Sequence, residues 1–243
     1  MVYAIYIHLM LIYDLIYKRS IYCGMVAQGE YRIVNKFIRD IDEVIKKFEN
    51  ELSQPEYEKI LKLREDLIEK HQRREVKINH SVMELICAKY LIKNGFDVDI
   101  EHELTTISTD IYAKKGYGSL IVEVETGFVP PDHALDPLTY LKARITSKIT
   151  RYSAYANKFI LATTPYYIMQ IPASLVKPPR FRTQEEIEYL KSLCDMYYSN
   201  PPVSFEEIRN ARLHSIIVVD VDQAGIREWE VNEYMGKAAL WAV

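Results

Sequence analysis

Three carboxylates in one short stretch are spaced to do chemistry together. They are Asp110, Glu123 and Glu125, within residues 109–127, TDIYAKKGYGSLIVEVETG. The stretch reads as a β-hairpin. Ile111, Tyr112 and Ala113 form one arm, Leu120 to Val124 the other, and Lys115-Gly116-Tyr117-Gly118 the turn, where glycines are free to take positive φ. Side chains alternate along a strand, so Glu123 and Glu125 share a face. A turn centred near residues 116 and 117 sets Asp110 opposite or diagonal to Glu123, and opposed Cβ atoms lie about 4.5–5.5 Å apart. Like charges at that spacing repel, so either a carboxyl keeps its proton or a cation neutralises the set. A hard divalent cation with oxygen ligands does the latter. The plainer alternative is that Asp110 caps its strand and the glutamates line a solvated face.

The elements around this hairpin must position it. Residues 79–94 have the pattern of an amphipathic helix, with Val82, Ile86, Cys87, Tyr90 and Leu91 inward and Asn94-Gly95 as its stop. Residues 97–104 alternate as a half-buried strand. After the hairpin, Asp136-Pro137 opens a helix expected to run to about Asn157. Residues 158–164 read as a buried strand. Thr183 and Ser204 begin two further helices, 215–221 is an apolar strand, and 225–231 a last one. The order from residue 79 is α-β-β-β-α-β. A hairpin followed by an αβ crossover predicts an α/β fold with a mixed sheet and helices on its faces.

Upstream, Val34, Ile38, Ile41, Ile45 and Phe48 form a helical stripe, and Ser53-Gln54-Pro55-Glu56 is a capping box for a second helix. Residues 1–75 are therefore expected to be an N-terminal helical region used for packing or dimerisation, and 76–243 the main domain. Residues 1–22 are nearly all apolar, but Asp14 interrupts a run already short for a membrane span. A signal-peptide pattern is not evident. The three cysteines, Cys23, Cys87 and Cys194, form no CxxC pair, which argues against a zinc site or disulfide framework and fits a reducing cytoplasm. A hydrophobic content of 49% supports a proper core, and a net charge of −3 gives no global attraction to nucleic acid.

With these elements in order, the chain resembles the PD-(D/E)XK nuclease superfamily, in its RecB and archaeal Holliday-junction-resolvase-like branch. The likeness spans roughly residues 79–165. It rests on the α-β-β-β-α-β order, Glu84 in MELICAKYLIKNGF, Asp110 in TDIYAKK, and Glu123 in IVEVETG. It implies a restriction-endonuclease-like core, metal binding by Asp110, Glu123 and Glu125, and a metal-linked role for Glu84. The sequence departs from the family where lysine is usual: Glu125 stands there, so the motif reads E-X-E. Relatives often carry Gln-x-x-x-Tyr on the following helix. Here Lys148-x-x-x-Tyr152 occupies that place, and Lys148 is a candidate for the missing lysine's work. Each residue also has a plain reading. Glu84 follows Ser81 by three residues and completes a capping box, Lys148 merely meets a phosphate or solvent, His80, one turn before Glu84, is a helix-start polar residue rather than a phosphate contact, and His133 is an exposed loop histidine rather than a flank of the site.

Charge distribution supports the same chemistry independently. No acidic residue lies between Pro137 and Gln184, whereas Lys142, Arg144, Lys148, Arg151, Lys158, Lys177, Arg180 and Arg182 do. Tyrosines including Tyr140 and Tyr152 interleave with them. Basic groups hold phosphates, and aromatics stack on unpaired bases. The sequence thus leads to a Mg²⁺-dependent DNA nuclease, with Mn²⁺ able to substitute and no small-molecule cofactor. It is expected to be cytoplasmic, homodimeric and not membrane-bound, with Lys142, Arg144, Lys148, Arg151 and Tyr152 on the nucleic-acid side. The alternative is a nucleic-acid-binding or scaffolding protein on a degenerate nuclease fold.

Overall fold

The computed structural model describes residues 36–105 and 107–241. The readings made for residues 1–35, including the apolar run and His8, lie outside them. Two helices come first, α1 over 36–46 and α2 over Gln54–Gln72. Ser53 starts α2 as its sequence foretells, its N–H donating to Glu56 Oε2 at 2.7 Å. Then follow α3 (Ile78–Lys93), β1 (Asp97–Glu103), β2 (Ser108–Lys115), β3 (Gly118–Glu125), α4 (Pro137–Tyr152) and β4 (Lys158–Thr163). A short turn α5 (Ala173–Val176), α6 (Gln184–Tyr197), α7 (Phe205–Asn210), β5 (Ser215–Asp220), β6 (Gly225–Glu230) and α8 (Val231–Trp241) complete the described chain.

The six strands form one sheet in sequential order, β1 to β6. β1, β2 and β3 run antiparallel as a meander. The α4 crossover makes β4 parallel to β3, β5 is parallel to β4, and β6 returns antiparallel. This is an α/β fold with a mixed sheet. Alternation divides the strand residues between two cores. Ile111, Ala113, Val122 and Val124 pack on one side with α1, α2 and α3. Ile121, Phe159, Leu161 and Ile216 pack on the other with α4, α6, α7 and α8.

Three expectations change. The helical region before residue 76 is not an appendage where it is described. Phe37, Ile41, Val44, Ile45 and Phe48 bury in the same cluster as the sheet residues, so the described part of the stripe read as a dimerisation face lies largely within the protein's own core. α4 stops at Tyr152 rather than near Asn157, because Asn157 turns back to β3 and its Oδ1 accepts from Ser119 N–H at 2.9 Å. The C-terminal segment adds α8 beyond the expected last strand. No helix among the described residues is long and apolar enough to cross a membrane.

Candidate active site

The β2–β3 ladder is regular from the turn to the Ile111–Val122 pair. Beyond that pair, side-chain carboxylates replace backbone carbonyls as acceptors. Val124 N–H donates to Asp110 Oδ2 at 2.6 Å, and Asp110 N–H donates to Glu123 Oε1 at 3.0 Å. Thr109 Oγ1 adds a third donor to Glu123 Oε1 at 2.8 Å. The strands part here, and the amides that would have continued the ladder fix two acids instead. A buried amide needs an acceptor, and a charged one makes the stronger bond.

α4 brings the countercharge. Arg144 and Lys148 are four residues apart and therefore share a helix face. Lys148 Nζ lies 3.1 Å from Glu123 Oε2, 3.0 Å from Glu125 Oε1 and 3.5 Å from Asp110 Oδ2, and it donates to the Val124 carbonyl at 2.8 Å. Burial works against its charge, but the carboxylates of Asp110, Glu123 and Glu125 outweigh it and hold its pKa well above the ordinary lysine value. Arg144 Nε donates to Glu125 Oε1 at 2.9 Å. Burial likewise opposes the guanidinium's charge, and Glu125 raises its pKa. Glu123 is pushed up to about 8, first by burial and then by the charge of Asp110.

α3 closes the site from the opposite layer. Ser81 Oγ donates back to the Lys77 carbonyl, α3 begins at Ile78, and Glu84 is fully buried rather than completing a cap. Among the described residues no donor reaches either Glu84 oxygen, and its one side-chain partner is the Glu101 carboxyl, with which it can share a hydrogen bond only when one of the two is protonated. Burial, then the charges of Asp110, Glu101 and Glu123, raises its pKa well above the carboxylate range. His80, one turn earlier, has its pKa lowered by burial, an effect that Asp110 only partly opposes. One potential ligand atom from each of His80, Glu84 and Asp110 lies within 4.8 Å of the others.

Glu101 is a residue that sequence reasoning missed. It sits in β1 between the Ile100–Ile111 and His102–Thr109 pairs, across from Asp110. Its φ is +47°, a conformation an L residue with a long side chain adopts only under constraint. Lys70 Nζ donates to its carbonyl at 3.0 Å. Burial, then Asp110's charge, raises its carboxyl to about 7. A positive φ inside an alternating strand leaves no mark in a sequence.

The structure therefore brings together Glu84, Asp110, Glu123, Glu125 and Lys148, and adds His80, Glu101 and Arg144. It changes the part played by Glu125. That residue is fully buried, and its Oε1 is shared by two cations, so it positions Lys148 and Arg144. Among the described residues, His80, Glu84 and Asp110 form a group that could hold a metal; it shares Asp110 with the expected set, whose Glu123 and Glu125 face Lys148. The expected nucleic-acid residues also divide. Arg144 is bound to Glu125, and Arg151 donates to the carbonyls of Tyr198 and Pro201 at 2.8 and 2.6 Å. Tyr152 stacks on Phe159. Lys142, half-exposed, makes no ion pair among the described residues. His133 stacks on Tyr140. Asp220 Oδ1 accepts from Gln223 N–H in the β5–β6 turn.

Comparison with protein-family models, with curated proteins and with solved structures finds no match for this chain.

Proposed function

We propose that the protein is a divalent-metal-dependent nuclease that hydrolyses phosphodiester bonds in DNA on a restriction-endonuclease-like core. The observation that carries this reading is the seat of Lys148. Its ammonium, delivered from α4, lies against Asp110, Glu123 and Glu125 at once. It thus supplies a cation beside the carboxylates although the E-X-E motif lacks its usual lysine.

A divalent ion suits the donors present. Glu84 is buried with no donor reaching either oxygen among the described residues, a costly state for a carboxyl group, and a hard cation with oxygen ligands relieves it. His80 is held toward its neutral form by burial, the form in which imidazole ligates; the carboxylates suit Mg²⁺ and Mn²⁺, whereas an imidazole ligand favours transition-metal ions over Mg²⁺. Asp110, Glu84 and His80 would hold the ion, with Glu123 alongside. A bound divalent ion supplies Lewis-acid charge that activates water and offsets charge on the phosphate. The protein's own groups do the rest. Asp110 is oriented by the Val124 amide and Glu123 by Thr109 and the Asp110 amide. Lys148 places a fixed positive charge where negative charge grows on the phosphate oxygens, which is worth most where water is excluded. Glu125 and Arg144 keep that lysine in place.

The test is incubation of purified protein with labelled DNA in Mg²⁺, Mn²⁺ or EDTA. Cleavage with either metal, its absence in EDTA, and its loss in Asp110→Asn with DNA binding retained are the expected results. Equal cleavage by Asp110→Asn overturns the assignment. The second reading, a binding or scaffolding protein on an inactive core, draws on Glu125 in the lysine's usual place. DNA binding without cleavage under all three conditions would favour it.

A further inference from the structure

A second concave site opens at the same edge of the sheet, at the carboxyl ends of β4 and β5. It is a cavity of about 470 Å³ lined by residues that include Tyr167, Asp220, Arg227, Trp229, Tyr234 and Lys237. Two of these are cations gathered on one indole. Lys237 Nζ lies 4.0 Å and the Arg227 guanidinium 5.4 Å from the Trp229 ring centre. Asp220 is the one acidic residue in the lining. Such a wall offers a flat aromatic face, flanking positive charge, and room for a small molecule.

The cavity lies beside the carboxylate cluster. Thr164 lines it, and Thr164 follows Thr163, the register partner of Glu125. Tyr167, also in the wall, packs its ring against Gly127, two residues past Glu125. A Cβ on Gly127 would come within 2.6 Å of that ring, and Gly127 has φ +74°, so glycine is needed for this contact. Between site and cavity, Glu125 Oε2 and Thr163 Oγ1 are buried without hydrogen-bond partners among the described residues. The cavity mouth at β5 is two strand spacings, about 10 Å, from β3.

We propose that this cavity is a nucleotide subsite. An unpaired base stacks on Trp229, and its phosphate takes up the charges of Lys237 and Arg227. Lys237 is exposed, and among the described residues its ion-pair partner is Glu233 at 4.0 Å, a loose pair that lets the ammonium move from the indole to a phosphate and clear the ring face. Base–aromatic stacking tolerates any base because each has a π face. The nucleotide is taken to belong to the strand whose phosphodiester lies at the carboxylate cluster, a source that rests on the nuclease reading. The chemistry of the subsite does not.

The experiment is fluorescence titration of full-length protein in EDTA. The chain has two tryptophans, so Trp241→Phe leaves Trp229 as sole reporter. The probes are a deoxynucleoside monophosphate, a short single-stranded oligonucleotide and inorganic phosphate. Quenching by the oligonucleotide and the mononucleotide, with none by phosphate, is the expected result. Quenching by the mononucleotide alone keeps the subsite and identifies its occupant as a free nucleotide. Trp229→Ala, followed by nucleotide competition against a fluorescent oligonucleotide, should weaken binding at least about five-fold, the loss of one stack. Lys237→Glu, a change on an exposed side chain, should weaken it while leaving the melting temperature unchanged. The proposal is overturned if no nucleotide quenches Trp229, or if Lys237→Glu binds as the parent does. Because metal is absent throughout, a failure here is distinct from a failure to cleave DNA.

Discussion

In EDTA, the protein should lose stability between pH 6.5 and 8. Glu123 is raised from 4.5 to about 8 in the folded state. A carboxyl raised on folding keeps its proton in the native protein while the unfolded chain has released it. The native state then binds more protons than the unfolded state between pH 4.5 and 8, and stability falls as pH rises through that window. Below pH 6.5 the two histidines with lowered values, His80 and His214, work in the opposite direction, since the unfolded chain holds their protons. At pH 6.5 the histidines of the unfolded chain are still half protonated, so their opposing contribution fades only by about pH 7.5, above which the carboxyls act alone. Over the 1.5 units from pH 6.5 to 8 Glu123 accounts for at most about 2 kcal/mol, at about 1.36 kcal/mol per unit, and Glu84 adds in the same sense. Urea unfolding measures it. With an m-value of about 2–3 kcal/mol per M, the midpoint should drop by up to roughly 0.7–1 M. Glu123→Gln should show a shallower drop, and Mg²⁺ or Mn²⁺ should restore the midpoint at pH 8 by binding the native state, releasing protons as it does so. A midpoint that is level or rising in EDTA from pH 6.5 to 8 would refute the reasoning about these buried acids.

Lys148→Ala should slow DNA cleavage by more than it weakens DNA binding, because a charge acting on the transition state affects rate rather than ground-state affinity; equal losses in single-turnover rate and in affinity would show a mere phosphate contact. A chain beginning at Val76 should fail to fold. The apolar side chains buried between Phe37 and Leu67 share one cluster with Ile111, Val122 and Val124 of the sheet, so their removal uncovers core side chains worth about 1.5–3 kcal/mol each against a net domain stability of roughly 5–15 kcal/mol. A cooperative melting transition from that fragment would contradict the placing of α1 and α2 in the core on that side of the sheet. Arg151→Ala should lower stability by about 1–3 kcal/mol through its lost bonds to the Tyr198 and Pro201 carbonyls, seen as a reduced urea midpoint, with the salt slope of DNA binding unchanged.

What was legible in the sequence was mostly local. The hairpin could be read because a glycine-bearing turn and alternation fix its register within a few residues, and the capping boxes at Ser53, Thr183 and Ser204 could be read for the same reason. The convergence of Asp110 and Glu123 follows from that register. The seat of Lys148 was reached through the family likeness, since helix spacing alone does not say which strand a face meets. The role of α1 was misjudged because an apolar stripe states that a face is buried and not what buries it. Arg151 was misjudged because its partners are backbone carbonyls, which no residue type announces. His80 looked like an ordinary helix-start polar residue. Its place one turn from Glu84 was legible, but only the fold sets it against Asp110.

The left-handed backbone at Glu101 has a consequence for how the sequence would drift. Such a conformation costs an L residue about 1–3 kcal/mol, and glycine would adopt it with little penalty. A screen rewarding heat resistance alone should therefore replace Glu101 with glycine early. A screen rewarding turnover should hold the glutamate and let compensating changes gather in the α1–α2 layer. The position would then record which of the two pressures a lineage has experienced.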